Sequence, residues 1–204
     1  GSRVRLSAEQ IRDQALSISG VLCDSMYGPS VYPWQPKGIW LSPWNGKDWE
    51  QSKGVQQYRR ALYIYWKRSA AYPSMMTFDG ISREVCTVRR IRTNTPLQAL
   101  ATLNDSAYID MARHFAHRMQ TVPVADVQEQ IEEGYKWATF HTPDEKSKTI
   151  LLKLYRTAYN QFKDDKEKSR ELSGGTESKS NPETAALVVV ANAILNLDEV
   201  LTKN

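Results

Sequence analysis

Between residues 59 and 92 the chain sets eight cations, Arg59, Arg60, Lys67, Arg68, Arg83, Arg89, Arg90 and Arg92, among Tyr63, Tyr65 and Trp66. A guanidinium donates paired hydrogen bonds to a carboxylate or phosphate, and an aromatic face stacks on a sugar or a base. The mixture suits an acidic or sulfated glycan, or a nucleic acid. The candidate ligand-binding residues are therefore Arg59, Arg60, Tyr65, Trp66, Asp79, Arg83, Arg89, Arg90 and Arg92, joined by Trp34, Trp40 and Trp44 from the aromatic stretch just upstream. A second account is open. The same arginines could tie that stretch to helix ends and to carboxylates such as Asp48, Glu50, Asp79 and Glu84. On this account the arginines ahead of Pro96 lock the tryptophan-bearing segment onto a helical body, and ligand recognition is built upon that scaffold.

Two other constellations have chemistry-bearing residues. Asp110, His114 and His117 stand at i, i+4 and i+7, a spacing that puts a carboxylate and two imidazoles on one helical face. That face is opposite Met111 and Phe115 and lacks a fourth ligand, so it reads as the solvated side of an amphipathic helix and no metal is expected. His141 is too distant in sequence to join it. For catalysis, no Gly-rich phosphate loop, nucleophile elbow or Cys/His pairing can be read. Asp48, Glu50 and Asp79 have no spacing that separates a hydrolase pair from arginine partners. Carboxylates can assemble from distant positions, which keeps a hydrolase of glycans or glycan esters as the alternative to a binding module.

The formal charge is only +4, yet the stretch from Lys53 to Arg92 has nine Lys/Arg against Asp79 and Glu84, leaving the remainder acidic. The basic field is local. Nucleic acid ranks below polysaccharide as a partner, because the whole chain is mildly basic and no reading motif occurs. No run of eighteen apolar residues exists, so no membrane span is expected. Cys23 and Cys86 are expected as buried thiols rather than a bridge. Cys-x-x-Cys-His is absent, so this segment should hold no c-type haem of its own.

The elements that must position these residues follow from caps and periodicity. Ser7 and Gln10 form a capping box, and Ile11, Ala15, Ile18 and Leu22 predict a helix from about Ala8 to about Cys23, stopped by Gly28-Pro29. Tyr27 to Trp49 reads as an ordered aromatic loop, dense in Trp, Tyr, Pro and Gly. Arg60 to Lys67 is rich in β-formers and predicts a buried strand, with Gly38 to Leu41 as a candidate partner. Thr95, Pro96 and Gln98 predict a capped helix start. From Leu97 to Met119 the apolar residues keep one face, broken at Asn104-Asp105, where Asp105 should cap a second helix. A further helix is expected over about Ala125 to Thr139. Another should open on Thr142-Pro-Asp-Glu145 and face inward through Leu151, Leu154, Tyr155, Ala158 and Phe162. Asp164 to Asn181 reads as a mobile loop. The last helix, capped by Asn181-Pro-Glu, is apolar most of the way round and should be central. The fold class is mainly α with a small β element: a single domain over residues 1–204, with a helical bundle-like core and an ordered aromatic loop.

The stretch Arg89-Arg-Ile-Arg-Thr-Asn-Thr-Pro-Leu-Gln-Ala-Leu-Ala-Thr-Leu-Asn-Asp105 resembles the signature of the PSD1 domain, also called DUF1553. Arg5 to Leu16, Tyr58 to Arg68, Pro73 to Asp79 and the closing Ala193 to Thr202 agree with it. The resemblance implies the C-terminal part of a large exported protein of planctomycete-type bacteria, often behind a DUF1549 domain and a cytochrome c-like segment. It therefore implies neighbouring domains as partners, a haem in another domain of the parent, and a periplasmic or cell-surface location. It brings no catalytic residue, since the family's biochemical function is unassigned. The opening Gly1-Ser2, almost at once followed by a helix cap, reads as the start of an excised fragment, so a missing leader says little about the parent.

Overall fold

A computed structural model of the chain describes residues 3–39, 49–67, 69–123, 126–174 and 181–203. It is mainly helical with one minute sheet. In chain order the elements are β1 (Val4–Arg5), α1 (Ala8–Ser19), α2 (Pro73–Thr77), α3 (Pro96–Asn104), α4 (Ser106–Gln120), α5 (Val127–Thr139), α6 (Glu145–Phe162), α7 (Lys166–Ser173), α8 (Pro182–Leu195), α9 (Asp198–Leu201) and β2 (Thr202–Lys203). The strands pair antiparallel, Val4 opposite Lys203 and Arg5 opposite Thr202, so the two ends of the described chain clasp one another.

Helix α8 is the axle, as its all-round apolarity demands. Asn181 caps it by accepting from the Thr184 N–H, Pro182 sits at its first turn, and ten of its residues are buried. Helices α4, α6 and α7 pack along it, and α4 also carries α1. The shared core runs through Leu16, Phe115, Met119, Ile131, Leu187 and Ile194. Each such large apolar side chain contributes about 1.5–3 kcal/mol when removed from water. Gly134 lets α5 approach α4 closely, for a Cβ there would meet the Met119 sulfur at 2.8 Å.

Helix α1 has its expected capping box but stops at Ser19, four residues short of Cys23. The glycine responsible is Gly20, not Gly28: at φ 76° it takes the left-handed cap, and the Gly20, Val21 and Leu22 N–H groups all return to the last-turn carbonyls. Arg60 to Lys67 is not a strand. It holds a 3₁₀ turn over Ala61–Tyr63, and single-residue parallel bridges join Arg59 to Cys23 and Ile64 to Val31. The Asp13 carboxylate accepts the Ala61 N–H at 2.6 Å and bends the chain there, leaving Leu62 exposed. Val31 is thus the actual neighbour, not Gly38–Leu41, whose last two residues lie outside the described set. Helix α5 starts at Val127, capped by Asp126. Helix α6 starts later than its sequence signal, because Asp144 rather than Thr142 accepts from the Ser147 N–H.

Lys166–Ser173, expected within a mobile loop, is helix α7. Asp165 caps it, and the small buried residues Ser169 and Ser173 let it lie close to α8. Arg113 of α4 finishes it by donating to the Leu172 and Glu171 carbonyls at 2.8 and 2.9 Å. Neither cysteine is bridged; Cys23 is half-buried and Cys86 exposed, so the expectation of two buried thiols fails at Cys86.

The run after Pro96 does split at Asp105, whose carboxylate accepts the Ala107 N–H and starts α4. The single apolar face holds for α4 only. In α3 the polar side is the buried one: Gln98 and Thr102 face inward, while Leu97 and Leu100 are 61% and 58% exposed. Thr95 makes no side-chain cap, the Gln98 N–H bonding to its carbonyl at 3.0 Å, and the Gln98 side chain is drawn into the interior instead of reaching back to close a box.

Candidate anion-binding site

The inward pull on Gln98 organises the signature stretch. Its amide donates to the Thr77 carbonyl at 3.1 Å, to Asp79 at 3.2 Å and to the Thr93 hydroxyl at 3.1 Å, while its oxygen accepts from Arg5 at 2.9 Å. Asp79 accepts the Thr93 N–H at 2.7 Å and its hydroxyl at 2.8 Å. This polar knot fixes where residues 89–93 leave α3, and it lays them beside β1. Arg3, Arg5, Arg89, Arg90 and Arg92 then surround one open cleft of about 870 Å³, with Val4 and Ile91 in its walls.

Two of these five arginines have carboxylate partners among the described residues. Arg3 pairs with Asp198 and Arg90 with Glu9, the latter at 2.7 Å. Burial works to raise the Glu9 carboxyl, but the hydrogen bond and positive charge of Arg90 outweigh it and hold the group below the usual carboxylate range. Arg5 donates to the neutral Gln98 amide; burial pushes its guanidinium to lower basicity, and the negative charges of Asp198 and Asp79 offset this only in part. Arg92 donates to the Arg5 carbonyl at 2.6 Å, and exposed Arg89 has no partner among the described residues. The cleft therefore has more positive charge than its own carboxylates neutralise.

The remaining sequence candidates divide. Arg59 is buried and spends its guanidinium inside the fold, on the Ser25, Tyr27 and Pro29 carbonyls, with the Tyr63 ring 3.8 Å away. Arg60 is exposed and leans on Asp13 at 3.4 Å. Arg83 lies over Trp66, 5.2 Å from the ring centroid, and Trp66 donates to the Ser82 carbonyl. Tyr65 stacks on Tyr32 at 5.1 Å, and half-buried Trp34 offers its carbonyl to the Tyr72 hydroxyl. Trp40, Trp44, Asp48 and Arg68 lie outside the described residues. Among the described residues the arginines before Pro96 do not reach the tryptophan segment: Arg90 and Arg92 go to α1 and β1, while Arg59, Tyr63 and Tyr72 are among the residues that bond to residues 25–34. Sequence reasoning found Arg89, Arg90 and Arg92 but missed Arg3 and Arg5, which only the clasp of the two chain ends brings to the cleft. The alternation Arg3-Val-Arg5 was their only signal.

Tyr58 and Asp110 line a different hollow, of about 250 Å³. The Tyr58 hydroxyl donates to Asp110 at 2.8 Å and lies 3.1 Å from the His114 Nε2. Burial, then the Asp110 hydrogen bond, pushes the Tyr58 phenol well above its ordinary value. His117 turns instead to Gln120 at 3.4 Å. No group of three or more His, Cys, Asp or Glu that could hold a metal occurs among the described residues.

A helical domain whose ends clasp beside a cluster of guanidinium groups is the class defined by fold and site together. The chain belongs to the PSD1 family, proteins of unknown function (DUF1553), whose model matches residues 1–155. No curated protein and no solved structure matches it.

Proposed function

We propose that this domain is a non-catalytic ligand-binding module of a larger exported bacterial protein, and that it holds an acidic or sulfated polysaccharide in the arginine cleft. The observation that carries this reading is the convergence of five arginines on one open cleft, of which two, Arg3 and Arg90, make ion pairs among the described residues, with Asp198 and Glu9. Guanidinium forks match carboxylate and sulfate geometry, and repeating anions along a polymer suit a cleft with several forks better than a point ligand does. The outward leucines of α3 extend the reading to a partner: a neighbouring domain of the parent chain would cover them.

The hydrolase alternative has one foothold, the Tyr58, Asp110 and His114 cluster. There the phenol is held neutral and donates to the carboxylate, an arrangement that ties up the group a general base would need free. Binding is favoured for that reason.

The test is calorimetric titration of the intact domain with polygalacturonate, heparin and neutral dextran over a range of salt. The acidic polymers should bind and weaken as salt rises, dextran should not bind, and Arg89→Ala/Arg92→Ala should weaken binding about tenfold with an unchanged melting temperature. Binding of the acidic polymers that ignores both salt and this pair of substitutions would overturn the reading.

A further inference from the structure

Phe140 breaks two rules at once. It follows the last residue of α5 in the left-handed conformation, φ 67°, a place that glycine ordinarily takes, and its side chain is 86% exposed. The backbone is held there from both sides. The Phe140 N–H closes on the Lys136 carbonyl at 2.8 Å, and beyond it His141 meets Glu199 at 3.0 Å while Tyr135 donates to the same carboxylate oxygen at 3.0 Å. A residue kept in an unfavourable backbone state with its ring in solvent gains little for the fold from that ring, which points to use of the ring by a ligand.

The ring edges a cleft of about 790 Å³, more apolar than the arginine cleft, which also has Trp137 and Ile18 in its walls. Cations ring this floor. The Arg118 guanidinium covers Trp137 at 4.3 Å and is anchored to the Ile18 carbonyl at 2.6 Å, and the Lys203 ammonium stands 5.9 Å from the Phe140 centroid. Lys203 is also the residue paired with Val4 in the clasp, so the ribbon whose one strand bounds the arginine cleft puts a lysine of its other strand here. The two clefts are joined by a shallower one that shares Arg90 and Arg92 with the first and Arg60 and Asp13 with the second. Along the whole furrow the described residues bring nine Lys and Arg to the walls against Glu9, Asp13 and Asp24.

We infer that the furrow is one extended site for an acidic polysaccharide, in which the arginine cleft grips the anionic groups and a second subsite stacks a pyranose ring of the same polymer on Phe140. The inference rests on the proposed function and adds the stacking subsite and the path between. Apolar C–H faces of a sugar ring match an exposed aromatic face, while the carboxylate or sulfate of that sugar lies within reach of Lys203 and Arg118.

The test uses Phe140→Gly in the intact domain, because glycine removes the ring and also relieves the backbone. Melting temperature should rise by roughly 2 °C, while affinity for polygalacturonate or heparin falls about five- to tenfold; Phe140→Trp should bind as the parent does. A stabilised Phe140→Gly that binds with unchanged affinity, while Arg89→Ala/Arg92→Ala is weakened, would sink the stacking subsite and leave the arginine reading standing. A parent domain that binds neither polymer would sink the reading and this inference with it.

Discussion

Replacing Asp79 with alanine should cost about 3 kcal/mol of folding free energy, and the figure can be worked from its partners. The carboxylate accepts the Thr93 N–H at 2.7 Å, the Thr93 hydroxyl at 2.8 Å and the Gln98 amide at 3.2 Å. A hydrogen bond to a charged group contributes about 1.5–3 kcal/mol. The last of the three is long, and half-buried Thr93 can regain water, so the total falls well below three full increments. Asp79 is also in the left-handed region at φ 60°, which aspartate and asparagine tolerate and alanine does not, and this adds to the loss. Asparagine keeps one acceptor for the Thr93 N–H and should lose only about 1 kcal/mol. Urea denaturation of parent, Asp79→Ala, Thr93→Val and the double variant isolates the pair: the coupling energy should be about 1 kcal/mol. An Asp79→Ala loss under 1 kcal/mol, or fully additive substitutions, would show that the carboxylate does not anchor the signature stretch. Asp79→Asn should also bind the acidic polymers as the parent does, separating this residue from the arginines it positions.

Two further changes probe the frame on which the furrow is built. Arg12 is 3% exposed and donates to the Arg59 and Gln57 carbonyls at 2.8 Å each, so Arg12→Met leaves two interior acceptors unpaired and should lose about 3 kcal/mol, seen as a drop of roughly 6–12 °C in melting temperature. Glu9 has a carboxyl held low by Arg90, so the stability it contributes is complete above its unfolded value of about pH 4.3 and disappears as pH falls through the lower folded value; urea midpoints of parent and Glu9→Gln should differ at pH 7 and converge as the pH is taken down through that folded value.

How far the sequence carries can be judged from particular residues. Helix α8 was legible because ten buried side chains leave their mark directly in composition, and Asp105 was legible because a cap acts over three residues. Local rules suffice for both. Gln98 and Leu97 were misread for the opposite reason: periodicity assumes that apolar residues face inward, and in α3 a polar knot made with residues 77, 79 and 93 outcompetes it. Arg60 to Lys67 has strong β propensity, yet Asp13, nearly fifty positions earlier, sets its backbone. The site shows the same division. The cations were visible one by one, but Arg3 and Arg5 reach the cleft through β2 at the far end of the chain, a contact that no local window contains.

That division bears on what the signature stretch is for. A helix that buries Gln98 and Thr102 while exposing leucines is a poor use of sequence if the only demand is a stable core, since the reverse arrangement would take more apolar surface from water. The polar interior does something else: it fixes the backbone of Thr93 against Asp79, and so sets the spacing between Arg90, Arg92 and Arg5 across the cleft. Arginine side chains are long and would blur that spacing if their backbone were loose, whereas forks set at fixed separation can match a repeating anion. Arg90 illustrates the balance, for it is bound to Glu9 and cannot swing freely, while Arg89 beside it is exposed. On this argument the carboxylates near the cleft do not compete with a ligand for all of its cations. Glu9 and Asp198 hold Arg90 and Arg3 in position, and Arg89 and Arg92 make no ion pair among the described residues, which leaves their charge for the proposed anionic ligand.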